Sequence, residues 1–105
     1  MQERKTREST EKKRDVILSE GLQFTIKNGY DNLTREAFCE HVGIAAGSIN
    51  YHFGSMAGFR RAIMRKAIAK RIVEVVADGI SAKCEVARKA PESLKKLAIA
   101  HMMAN

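Results

Sequence analysis

Residues 34–55, TREAFCEHVGIAAGSINYHFGS, hold two short helical segments and the turn between them. Thr34 is placed to cap the first, with Phe38 and Val42 one turn apart on its inner face. Gly43 stops that segment, and Gly43, Ile44 and Ala45 make a tight turn. A second segment then runs from about Ala46 to Phe53, anchored by Ile49, until Gly54 breaks it. Two short helices joined through a glycine turn make a helix-turn-helix. Cys39 reads as the small buried residue where the two helices cross, not as a nucleophile.

Residues 43–56 contain no acid, lysine or arginine, although the chain carries a formal net charge of +7. Small uncharged groups at regular spacing suit a surface that must come very close to a partner. The surrounding charge indicates which kind. No acid occurs between Glu40 and Glu74, while Arg60, Arg61, Arg65, Lys66, Lys70 and Arg71 fall in that window. Such a stretch suits a polyanionic partner, the alternative being a solvated helix face.

Outward from this unit the pattern stays helical. Residues 1–13 read as a basic arm that joins a first helix at about Thr10. Val16, Ile17, Leu22, Phe24 and Ile26 recur at helical spacing until Asn28-Gly29 ends the run. Downstream, Ser55 caps a long helix that starts near Met56 and extends toward Lys89. Pro91 marks the next boundary, followed by a short C-terminal helix. The expected fold is all-α: an arm (1–13), a three-helix DNA-binding unit (14–54), and a long helix with a C-terminal helix (55–105).

Composition narrows the class. With 45% hydrophobic residues the chain can build a core, and one proline among many helix formers argues against sheet. No apolar run is long enough to cross a membrane, and the polar N-terminus resembles no secretion signal, so a cytoplasmic protein is expected. Cys39 and Cys84 lack the paired spacing of a metal site, so neither metal nor cofactor is expected. Ser48 and His52 lie one turn apart, but no third group orients the histidine, which argues against an enzyme.

Ile17, Leu18, Leu22, Gly29, Tyr30, Thr34, Phe38, Gly43, Ile44, Gly47, Ser48, Ile49, His52, Phe53 and Ser55 together form a spaced pattern without a gap. This pattern, over roughly residues 14–60, resembles the N-terminal helix-turn-helix domain of the tetracycline-repressor (TetR) family. The resemblance implies a DNA-binding transcriptional regulator, most simply a repressor. Gly21 departs from the family's helix alanine, which by propensity softens the first helix by about 1 kcal/mol. Ala45 replaces a serine cap, Asn50 stands where tyrosine is common, and Met56-Ala57 replaces a Lys-Glu pair. Only residues 56–105 follow the unit, which is short for the family, so a small-molecule inducer is not expected.

These readings assign roles. Ala46, Gly47 and Ser48 let the start of the second helix approach base edges in a major groove about 12 Å wide. Asn50 suits a bidentate contact to adenine. Tyr51 and His52 resemble family positions that grip phosphate; otherwise His52 is a polar residue beside the Phe53 anchor with no DNA role, and Tyr51 is half-buried packing. Backbone N–H groups at Thr34 and Arg35 offer a further phosphate site, and Arg4, Lys5 and Arg7 would lead an arm into the minor groove. Ile72, Val75, Val76 and Ile80 form an apolar stripe expected to seal a homodimer. A second reading, from another class, is an interaction module that binds a partner protein.

Overall fold

The computed structural model describes residues 2–104, with side chains from Thr10 to Ala104. Its elements are α1 (Gln2–Asn28), a 3₁₀ turn (Tyr30–Asn32), α2 (Arg35–Val42), α3 (Ala46–Phe53), α4 (Met56–Ala69), α5 (Val73–Ser81), α6 (Glu85–Arg88) and α7 (Glu92–Ala104). No strand occurs among the described residues.

The caps of the helix-turn-helix lie where the sequence puts them. Thr34 Oγ1 accepts from Ala37 N at 3.2 Å, and Ser55 Oγ accepts from Gly58 N at 3.0 Å. Gly43 sits at φ 80°, a left-handed conformation that glycine adopts without steric cost. Its N–H and that of Ile44 both donate to Cys39 O, at 2.8 and 3.1 Å.

Phe59 of α4 is the centre of the N-terminal core. Its fully buried ring lies 5.0 Å from that of Phe38 in α2 and 4.8 Å from that of Phe53 in α3. Phe24 of α1 meets Phe38 edge-on at 5.9 Å. Gly21 explains how α1 fits: a Cβ there would stand 2.6 Å from Phe59 Cζ and 2.7 Å from Ile63 Cδ1. The glycine that propensity marks as a weakness is the notch through which α1 and α4 meet. Val16, by contrast, faces solvent and belongs to no core.

Two expectations are corrected. The arm is not separate from the first helix, because α1 is helical from Gln2 and no glycine or proline interrupts it before Gly21. The long helix to Lys89 is also broken, at Lys70–Ile72 and again at Ala82–Cys84. Arg71 (φ 55°) and Lys83 (φ 62°) take the left-handed conformation that normally falls to glycine. At the first break Ile72 N donates to Ala67 O at 2.9 Å and Arg71 N to Ile68 O at 3.0 Å. At the second, Cys84 N donates to Gly79 O at 2.8 Å and Lys83 N to Ile80 O at 3.0 Å. Both are Schellman closures, which satisfy the last helical carbonyls.

The breaks let the two halves of this stretch bury different faces. Phe59, Ile63 and Ala67 remain buried on α4, while α5 turns so that Val75 and Val76 are buried within the same chain. Ile72 and Ile80 pack partly against that core. The stripe expected at a dimer seam is therefore internal, and Val76→Asp would strike the core of one chain. Leu94 and Ala98 of α7 are buried too, whereas Leu97, Ile99 and Met103 of that helix stay exposed.

Gly21→Ala decides between propensity and packing. Propensity alone predicts a gain of about 1 kcal/mol. Overpacking against the Phe59 ring outweighs it, giving a net loss of about 1–2 kcal/mol in urea unfolding. A stabilised variant would show that α1 and α4 are not in close contact at Gly21.

Candidate nucleic-acid interface

Ile49 of α3 is fully buried and fixes the helix's rotation about its own axis. At about 100° per residue, Gly47 and Tyr51 then lie opposite Ile49, with Asn50 about 100° and Ala46 about 60° round the helix from it on one side. All four are exposed, Tyr51 to 74%. This face carries no charge and, at its N-terminal end, almost no side-chain bulk. Ala45 makes no side-chain cap, so the first-turn N–H groups of α3 receive no side-chain bond from it.

The flanks are more crowded. Ser48 and His52 are half-buried. The His52 ring lies 4.9 Å from that of Tyr51 and 6.3 Å from that of Phe53. Tyr51 is thus no packing residue of the core, whereas His52 is wedged between an exposed ring and a half-buried one. At α2, Thr34 is exposed but its oxygen already serves Ala37 N. Arg35 is half-buried, and its Nε is enclosed without an acceptor. Burial first, partly opposed by the charge of Arg35, raises the Cys39 pKa, which fits a structural thiol.

The cations of the acid-free window divide by role. Arg60 is structural: its Nη1 donates to Leu33 O at 2.6 Å and Tyr30 O at 3.2 Å, and its guanidinium lies 4.1 Å from the Tyr30 ring centroid. From α5, Asp78 Oδ2 accepts from Tyr30 N at 3.3 Å. The 3₁₀ turn ahead of the helix-turn-helix is therefore clamped from both α4 and α5. Lys66 reaches Ser19 of α1 at 3.4 Å, while Arg61, Arg65, Lys70 and Arg71 are exposed. Arg14 stacks 4.7 Å from the Phe53 ring centroid, which puts a cation beside the end of α3.

Sequence reasoning missed Arg14, Asp78 and the structural use of Arg60; only the contacts across elements reveal them. The side chains of Arg4, Lys5 and Arg7 lie outside the described residues. Their backbone is helical, and a helix about 10–12 Å across does not enter a minor groove about 6 Å wide. The minor-groove role expected of the arm is therefore withdrawn.

An uncharged, small-residue helix face held out by a buried anchor and flanked by cations defines a helix-turn-helix DNA-binding module. Residues 17–63 match the family model of the bacterial regulatory proteins, tetR family, so the chain carries the N-terminal helix-turn-helix domain of TetR regulators. Such a domain marks a DNA-binding transcriptional regulator rather than an enzyme. No curated protein and no solved structure matches the chain significantly. No helix among the described residues is long and apolar enough to cross a membrane.

The clamp has a titration signature. Burial first, then hydrogen bonding with the Cys84 thiol, pushes the Tyr30 phenol up to about 12, with Arg60 pulling the other way. The neutral phenol is the form the fold holds, so its stabilising contribution is complete below the ordinary tyrosine value of about 10. That contribution is lost as pH rises from there through about 12. In a Tyr51→Phe background, tyrosinate absorbance is expected to rise near pH 12. A midpoint near about 10 would mean that Tyr30 is solvated.

Proposed function

We propose that the protein is a sequence-specific regulator, most simply a repressor, that acts in the cytoplasm as a homodimer on paired DNA half-sites. The exposed Ala46–Gly47–Asn50–Tyr51 face of α3 carries this reading. Ala46 and Gly47 allow the helix's first turn close to the base edges, Ala46 packs on a thymine methyl, and Ser48 bonds at the flank. Asn50 reads adenine through its amide. Tyr51, His52, Thr34, Arg35 and the open N–H groups at the α2 and α3 starts engage phosphates on either side. Arg14 is added to this set on its place beside Phe53, and Arg4, Lys5 and Arg7 serve the backbone from the helical start of α1.

A single helix-turn-helix makes few base contacts, and two-fold pairing supplies the missing specificity. With Val75 and Val76 internal, the seam falls elsewhere. Exposed Leu97, Ile99, Met102 and Met103 of α7 supply apolar surface for it.

Fluorescence anisotropy on duplex DNA tests the reading. Affinity should fall steeply with salt as phosphate neutralisation releases counterions. Asn50→Ala should lose about 1–3 kcal/mol on the preferred sequence and little on others. Equal weakening on every sequence would remove Asn50 from base readout. Salt-insensitive or absent binding would favour the partner-protein reading instead.

Deleting residues 1–8 should flatten the logarithmic salt dependence by about 2–3, near 0.9 for each phosphate left without its cation. An unchanged slope would exclude Arg4, Lys5 and Arg7 from the interface.

A further inference from the structure

An open groove of about 450 Å³ lies between α1 and α4. Leu18, Ala62 and Ala69 give it an apolar lining, and Arg14, Arg65, Lys66 and Lys70 supply every other lining side chain. No acid is among them. α4 holds none of its own, and Glu11 and Asp15, the acids nearest Arg14 along α1, are exposed and lie off the lining. Among the described residues no carboxylate comes within ion-pair distance of any of the four cations. A row of cations along one helix is ordinarily a solvated face. Here cations from two helices converge across one cleft, and a cleft lined by one sign of charge concentrates its field.

From this arrangement we propose that the α1–α4 groove docks a short acidic segment of a partner protein. Its carboxylates pair with Arg14, Arg65, Lys66 and Lys70, while one or two apolar side chains lie over Leu18, Ala62 and Ala69. Charge complementarity selects the anionic occupant. The apolar lining selects a peptide over nucleic acid, because a phosphodiester backbone resting on the rims leaves that lining in water. An acidic peptide presents carboxylates and apolar groups on one face, at three- and four-residue spacing. Three of the four cations also stand at the end of α4, not at its start beside α3, so a duplex held on α3 does not require them. The docking claim stands apart from the DNA reading, because the peptide measurement contains no DNA.

A short fluorescein-labelled peptide of glutamates carrying two leucines four residues apart serves as the probe in fluorescence anisotropy. The parent chain should bind it saturably. Arg65→Gln/Lys70→Gln, altered only at exposed side chains, should bind it at least about fivefold more weakly. Lys27→Gln/Lys96→Gln removes the same charge from exposed positions outside the groove and should bind as the parent does. A probe with serine in place of both leucines should bind the parent at least about fivefold more weakly. Circular dichroism should show both variants folded as the parent. On a duplex of random sequence the two variants should behave alike. No saturable binding of the peptide, equal loss in the two variants, or indifference to the leucines would each overturn the proposal. A duplex affinity lowered by Arg65→Gln/Lys70→Gln alone would assign the groove to nucleic acid and overturn it as well.

Discussion

The buried ring of Phe59 is the contact on which the DNA-facing geometry depends. It touches Phe38 of α2 and Phe53 of α3, and it fills the notch left by Gly21 in α1. A helix-turn-helix of two eight-residue helices is too short to hold its own crossing angle in water. The angle is imposed from behind by α1 and α4. The exposed face of α3 can therefore stay small and uncharged, because none of its residues is needed to fix the fold.

The second half of the chain extends this support. Asp78 and Arg60 bind the Tyr30 backbone from α5 and α4, on the N–H side and the carbonyl side of one residue. A third glycine, Gly79, lets α5 approach α4 and α6, since a Cβ there would meet Met64 and, at 2.7 Å, Ala87. The helix-turn-helix and the helices behind it are thus parts of one packed body.

Much of this is legible in the sequence where local chemistry dominates. Thr34, Gly43, Gly54 and Ser55 signal the ends of α2, α3 and α4 through their own conformational preferences and side-chain oxygens. The exposed face of α3 follows from Ile49 by helical spacing. The breaks at Arg71 and Lys83 are hidden, because both stops use residues with no preference for a left-handed backbone. Tertiary burial of Val75 and Val76 forces them, and no local signal records it. Gly21 misleads for the same reason: its value lies in a contact with residues far along the chain. Arg60 looks like one cation of a DNA-facing run, and only the carbonyls of Tyr30 and Leu33 reveal its structural use.

The central claim is that α3 reads base edges and that two copies read them together. Selection of bound duplexes from a random pool by the whole chain tests it most directly. The account predicts enrichment of one short motif repeated with two-fold symmetry, its copies about 34–36 Å apart along the axis or a multiple of that. Enrichment abolished in Asn50→Ala at one position of each copy would tie the motif to α3. A pool that remains random after binding, or a single unrepeated motif, would contradict it.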